Sequence, residues 1–423
     1  MTTDQVDTKR SGGWLPEQED LESWLDGHRE RVQARGEQVA LHPVIEEFGE
    51  LIAGDPIVRM YLNQMIEQVP STKPYRKRHL ESVEQMLRMI NELLTMAPEF
   101  GESSMVATPL NAILDWPMGT PGGFAAFRDP QVNAMLKKIL GAWCEFLSSS
   151  DSLYVLNDSP AGWKCAEAQR KVGMQQYEHD PQQEHWGFAS WNDFFTRRFR
   201  DGERPVASPK DDKVIVSACE STPYGISTEV RRQDRFWIKS QPYSLQDMLA
   251  NDEAVEQFVG GTVYQAFLSA INYHRWHSPV AGTIVRASVH EGTYYSEADS
   301  EGKDAVEPTN SQSYMAHVAA RAIILIEADD PVIGLMAFVP VGMSEVSSCM
   351  IDAKLTPGYH VDKGEELGYF QYGGSTHCLV FRPGAIAEFT LGAIPQPHDP
   401  QPPLMLVRSR LAIANTRAQP AQS

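Results

Sequence analysis

The pattern of apolar positions changes character near the middle of the chain. From Leu80, the residues Val83, Leu87, Ile90 and Leu94 recur at steps of three and four. That spacing puts them on one face of a helix and predicts that the face is buried. A second such stretch follows Asp129-Pro130, an N-cap and first helical residue by type. It carries Val132, Met135, Leu136, Ile139, Leu140, Trp143, Phe146 and Leu147. Shorter periodic pieces occupy 45–52 and 58–66. Methionines on these faces read as core filling rather than as a ligand box. The polar run from Asp180 to His185 reads as a linker or surface loop. In SWNDFFTRRF, Ser190 is expected to cap a short aromatic helix.

After about Val214 the apolar residues come in short β-branched or aromatic runs: KVIVSA, RFWIKS, GTVYQAFLS, GTIVRASV, RAIILIEA and GLMAFVPV. Gly, Pro or Asp separates them, which predicts strands. One helix is expected from Ser244 to Ala250, and the Pro-rich tail after Pro395 is expected to be irregular. The fold class is therefore α+β. A helical N-terminal domain (1–180) precedes a strand-rich domain (190–395) and a Pro-rich C-terminal tail (396–423).

The 423 residues suffice for two domains, and 42% hydrophobic with 22% charged is ordinary for a soluble globular protein. A formal charge of −19 argues against a nucleic-acid partner, whose phosphates call for Lys and Arg. It argues equally against docking on an anionic membrane surface. The cluster Arg197, Arg198 and Arg200 is read as a solvated helix end. Five scattered cysteines without a CxxC pair indicate neither a disulfide framework nor a zinc site, and no cluster suggests another metal. With no apolar leader and no run of membrane-spanning length, a cytoplasmic protein without a transmembrane segment is expected.

Three places invite chemistry: Glu220 in VSACES, His274 and His277 in INYHRWHSPVAG, and Ser375 in YGGSTHC. Singly, they read as a solvated strand end, a hydrogen-bonded histidine pair and a tight turn. Together they fit a serine activated by a histidine that a carboxylate orients. Glycine before the serine favours self-attack, because a residue without Cβ tolerates a tight, strained bend. The hydroxyl adds to the carbonyl of Gly374, moving the acyl group from nitrogen to oxygen. Elimination and hydrolysis then leave a pyruvoyl group on the new C-terminal fragment. Its keto carbonyl is an electron sink that replaces pyridoxal phosphate in decarboxylating an amino acid.

At these residues the chain resembles the phosphatidylserine decarboxylase family, in the soluble branch typified by the fungal L-tryptophan decarboxylases of psilocybin biosynthesis. The phrases WNDFFTRRFR, VSACES, YHRWHSPVAGTI, RAIILIEAD, VGMSE, KGEELGYF and GGST carry the likeness in family order. WLDG, the EEF segment near Phe48 and FLSSSDS extend it into the helical half. The resemblance implies a pyruvoyl group made from Ser375 by cleavage after Gly374. The resulting β chain (1–374) and α chain (375–423) would stay associated, in a monomer or homodimer. It implies His277 as base in self-cleavage, His274 as proton donor in turnover and Glu220 as the orienting carboxylate. Two departures stand out: ACES replaces a PADG-like phrase, which lengthens that carboxylate by one methylene, and Asn272 stands where the family has Asp.

A free amino acid is the expected substrate, since the chain shows no amphipathic lipid-docking segment. The branch resemblance makes it aromatic, tryptophan first. Tyr273, Trp276 and Tyr372, with Tyr369 and Phe370, are candidates to line a ring pocket, with core packing as their other reading. Alternatives are phosphatidylserine as substrate, a non-catalytic relative, or a biotinyl- or lipoyl-like carrier module. The carrier lacks a Met-Lys-Met or Asp-Lys-Ala phrase, and the retained His274, His277, Gly374 and Ser375 oppose a dead enzyme.

Overall fold

A computed structural model describes residues 18–36, 39–69, 79–101, 108–234, 243–297, 311–346, 348–396, 399 and 402–416. The RFWIKS run and both chain ends lie outside them. The helices of the first half are α1 (Gln18–Arg35), α2 (Pro43–Gly54), α3 (Pro56–Glu67), α4 (Val83–Leu93), α5 (Pro109–Met118), α6 (Pro121–Ala126), α7 (Pro130–Leu147), α8 (Ala166–Val172) and α9 (Trp191–Phe195). Their starts follow from local chemistry. The Asp129 carboxylate accepts from the N–H groups of Gln131 and Val132 at the head of α7, and Pro130 occupies the first turn. Ser82 and Ser190 cap α4 and α9 in the same way.

The periodic residues do face inward. Val132, Met135, Leu136, Ile139, Leu140, Trp143 and Leu147 are buried on α7, as are Val83, Leu87 and Ile90 on α4. Burying each large apolar side chain contributes on the order of 1.5–3 kcal/mol. The core they build also takes in Trp191 and Phe195 and, from the second half, Tyr273, Tyr295 and Tyr372. One hydrophobic cluster thus ties the helices to the sheet residues around the candidate site.

The second half holds β1 (Val214–Val216), β2 (Thr222–Thr228), α10 (Leu245–Met248), α11 (Val255–Phe258), β3 (Thr262–Leu268), β4 (Arg275–His277), β5 (Gly282–His290), α12 (Gln312–Val318), β6 (Arg321–Ala328), β7 (Leu335–Ser344), β8 (Ser348–Ile351), β9 (His360–Val361), β10 (Glu366–Gln371), β11 (Gly374–Phe381), β12 (Ile386–Phe389) and β13 (Arg410–Ala414). A seven-stranded sheet runs β2-β3-β11-β7-β6-β5-β9, flanked by three-stranded sheets β4-β10-β8 and β1-β13-β12. All the strand pairs are antiparallel. Strand β11 is buried at every position because cores lie on both its faces. Leu379 and Phe381 pack with Phe338 and Trp276, while Cys378 and Val380 pack with Val339 and Val341.

Two expectations need correcting. The tail after Pro395 is not wholly irregular: Arg410–Ala414 forms the central strand of a three-stranded sheet, between β1 and β12. The apolar residues of that strand, Leu411, Ala412 and Ala414, are buried, and this outweighs the Pro-rich composition upstream. Arg197 is not a solvated helix end but is 3% exposed. Its guanidinium donates to the carbonyls of Ile271 (2.7 Å) and Asn272 (3.2 Å) and lies 4.3 Å from the Tyr177 ring centre. Buried cations persist when they are paired in this way.

Candidate active site

Strand β11 begins with the residues singled out for self-attack. The chain leaves β10 and reaches β11 through Tyr372 and Gly373, whose φ of +130° is a conformation that favours glycine. Ser375 sits opposite Leu268 on β3 and Gly342 on β7, whereas Gly374 sits opposite Ser344. The register with β7 therefore slips at the Gly374–Ser375 link. Such bulges disrupt the ladder locally and re-aim side chains. Ser375 is fully buried, and its Oγ has no hydrogen-bond partner. An unmet buried hydroxyl costs about 1–3 kcal/mol, so it persists only where the fold enforces it.

The two histidines are held differently. The backbone N–H of His277 donates to Ala218 O, fixing β4 against the exit of β1. Its Nδ1 lies 3.0 Å from Gly364 O. A carbonyl can only accept, so Nδ1 carries the proton and Nε2 is bare. That bare nitrogen accepts from the Tyr273 hydroxyl at 2.9 Å. Burial first, then the nearby Arg408 guanidinium, pushes the His277 pKa down to about 3. The ring is a neutral base with its basic nitrogen defined.

His274 stacks on Phe195 at 4.2 Å between ring centres. Its Nε2 donates to Ser269 O at 3.1 Å, leaving Nδ1 buried, bare and without a partner. Burial and then Arg197 push its pKa down to about 3 as well. In this state His274 presents a lone pair rather than a proton, so the donor role expected for it requires that it first be charged.

Glu220 is buried and stands apart from that pair. Its carboxylate accepts from Arg204 Nη2 at 2.6 Å, from Arg204 Nε at 3.2 Å and from the backbone N–H of Val407 at 2.7 Å. Both ring nitrogens of His277 are engaged elsewhere, by Gly364 O and Tyr273. Glu220 therefore does not accept a hydrogen bond from His277 in this arrangement, and the orienting contact expected of it is absent. The forked guanidinium and an amide donor meet the carboxylate lone pairs, and that geometry holds it in place. The side chain that touches the basic nitrogen is Tyr273, expected as a wall of the ring pocket.

The other two expected pocket residues separate. Trp276 is fully buried in the sheet core, 4.9 Å from Phe370 and 6.0 Å from Phe338 between ring centres. Tyr372 lies in the shared aromatic cluster, 4.9 Å from Phe195, 5.2 Å from Trp143 and 5.9 Å from Trp191. Four residues escaped the sequence reading as parts of the site: Phe195, Arg197, Arg204 and Glu345. Glu345 closes the phrase VGMSE directly after strand β7, and a carboxylate ending so apolar a run is the signal that could have found it.

A pyruvoyl group derived from the chain itself fits these residues on one observation. The Ser375 hydroxyl is buried and unpartnered, and it follows two glycines at a bulge. Among the described residues, no group of three or more His, Cys, Asp or Glu is arranged to hold a metal ion.

Comparison with known proteins agrees across both halves. Residues 42–172 and 191–394 match two family models, both described as phosphatidylserine decarboxylase. The decarboxylase iboD of Amanita muscaria is 38% identical over 337 residues, spanning 71% of this chain and 94% of that protein. The L-tryptophan decarboxylase of Psilocybe cubensis is 34% identical over 408 residues, 90% of each chain. The phosphatidylserine decarboxylase proenzyme 3 of Schizosaccharomyces pombe is 32% identical over 197 residues, 47% of this chain and 19% of that one.

Proposed function

The chain belongs to the phosphatidylserine decarboxylase family, a family of pyruvoyl-dependent carboxy-lyases, and on that premise we propose that it decarboxylates an aromatic L-amino acid, tryptophan first, after cutting its own Gly374–Ser375 bond. The observation that carries the cleavage is the buried, unpartnered Ser375 Oγ at a register slip.

His277 Nε2 takes the Oγ proton once Tyr273 turns its hydroxyl away or relays the proton. Oγ adds to the Gly374 carbonyl carbon, and the Ser375 nitrogen leaves with a proton, giving an ester. Loss of the Cα proton and of the Gly374 carboxylate leaves dehydroalanine, from which water releases ammonia and the ketone. The ketone, once formed, supplies the electron sink for loss of the substrate carboxyl group. His274 offers its bare Nδ1 to hold a proton during turnover. Phe195, Tyr372 and Trp191 supply an apolar aromatic surface that suits a ring. The two fragments stay together because β11 remains laddered to β3 and β7, and β13 to β1, across the cut.

Two features support a free amino acid over a lipid. Relatives named as L-tryptophan decarboxylases align over 90% of the chain, and no helix among the described residues is long and apolar enough to cross a membrane. Incubation with L-tryptophan, and separately with phosphatidylserine vesicles, tests the choice. Tryptamine released from the first and no phosphatidylethanolamine from the second is the expected result. The reverse outcome makes the protein a lipid decarboxylase.

A further inference from the structure

Glu345 is a buried carboxyl group that the mechanism above does not use. It is 1% exposed, and its backbone φ of +66° lies in a region that non-glycine residues rarely occupy. Such strain is kept where surrounding structure over-determines it, often at functional sites. The residue directly follows Ser344, the ladder partner of Gly374, and lies three positions beyond Gly342, the ladder partner of Ser375. Paired strand residues lie about 4.5–5.5 Å apart between Cα atoms, so Glu345 is a near neighbour of the bond to be cut.

Its two oxygens have different surroundings. Oε1 accepts the backbone N–H of Asn111, in the first turn of α5, at 2.8 Å. Oε2 is buried without a hydrogen-bond partner. The titratable groups facing the carboxyl are the phenols of Tyr295 and Tyr372, and among the described residues no cation acts on it. Burial holds the pKa of Glu345 well above the usual carboxylate range, against the opposing pull of the Asn111 and Leu110 amides. Oε1 is already engaged as an acceptor, which leaves Oε2 as the carboxyl oxygen able to carry a proton and donate it.

We propose that Glu345, held by the helical domain through Asn111, donates a hydrogen bond from Oε2 to the Gly374 carbonyl oxygen as Ser375 attacks. This rests on the self-cleavage reading. As Oγ bonds to the carbonyl carbon, the π electrons move onto the Gly374 oxygen, where the Glu345 O–H meets the developing charge. The Oγ proton passes to His277 and then to the departing Ser375 nitrogen. The carbonyl re-forms and Glu345 keeps its proton throughout. A neutral acid in an apolar site suits this task, because a donor fixed in advance needs no solvent rearrangement.

The test follows self-cleavage of full-length chains made by cell-free translation and sampled by electrophoresis. Glu345→Gln keeps a neutral acceptor and donor at the two positions and is expected to cleave within about tenfold of the natural chain. Glu345→Met keeps the length without the donor and is expected to slow cleavage about 10²–10³-fold, the usual loss for one oxyanion donor. Hydroxylamine, which cuts an ester, should not rescue Glu345→Met if the defect precedes the acyl shift. Rescue, or a Met variant as fast as the natural chain, overturns the proposal. Infrared difference spectra of the uncleaved Ser375→Ala chain, against the same chain carrying Glu345→Gln, provide an arm independent of cleavage. A protonated-carboxyl stretch lost with Glu345 supports the proposal, and its absence sinks it. If the natural chain never cleaves, the self-cleavage reading itself fails, an outcome distinct from all of these.

Discussion

Two neighbouring regions of the site treat their polar atoms in opposite ways. Both ring nitrogens of His277 are met, Nδ1 by Gly364 O and Nε2 by Tyr273. Gly364 O in turn also accepts from Arg408. Around β11 the reverse holds, with Ser375 Oγ, Glu345 Oε2 and His274 Nδ1 all buried and unmet. Each unmet group costs about 1–3 kcal/mol. The contrast divides the site into a part that holds geometry and a part that waits for bonds to change.

The contrast is broken most severely by Ser375→Ala, which removes the attacking hydroxyl. The expected result is a single uncleaved chain with no decarboxylase activity, seen by electrophoresis and by carbon dioxide release. Next in size, His277→Ala should slow self-cleavage about 10²–10⁴-fold, the range for loss of a general base. His274→Ala should leave cleavage within a few-fold and instead lower turnover of the cleaved enzyme. Equal effects of the two substitutions on cleavage would erase the distinction between the regions.

Glu220→Ala separates orientation from scaffolding. It strands the Arg204 guanidinium, which is only 10% exposed. Breaking such a pair from one side costs about 3–5 kcal/mol. A lower melting temperature with a retained cleavage rate is expected, and a lost cleavage rate at unchanged stability would restore Glu220 to the catalytic chain.

Acid should loosen the molecule through its buried imidazoles. His274, His277 and His377 are held down to about 3, and His28, His79 and His317 to about 4, all by burial first. The unfolded chain binds protons at these residues near the ordinary value of 6.5 and the folded chain does not, so stability falls as pH drops below that value. Each histidine adds up to about 1.4 kcal/mol per pH unit until its folded pKa is reached. Urea titrations between pH 7 and pH 5 should show the loss. The smallest expected effect is that of Tyr273→Phe, which deletes one hydrogen bond to His277 worth about 1 kcal/mol and should change cleavage several-fold. No change at all would mean that the imidazole is positioned by Gly364 alone.

Much of this arrangement is legible in the amino-acid sequence. The α7 face was readable because helical periodicity and the Asp129-Pro130 start agree. The strands around Ser375 showed as β-branched runs between turn residues, and the family phrases marked the histidines and the serine. What escaped depends on partners distant in sequence. Nothing local says that Glu220 will be claimed by Arg204 and by the amide of Val407, 187 residues on. Arg197 looked solvated because its acceptors are carbonyls of residues 271 and 272. Strand β13 was hidden by Pro-rich neighbours, although it pairs with β1 at the start of the catalytic half. The bare nitrogen of His274 follows from one carbonyl contact that no motif records.

Intact-mass analysis of the purified protein addresses the central claim most directly. Two species are expected, one of residues 1–374 and one of 375–423. The smaller should be lighter by one ammonia than the same fragment beginning with serine. A single mass for the whole polypeptide, accompanied by decarboxylase activity, would contradict the claim.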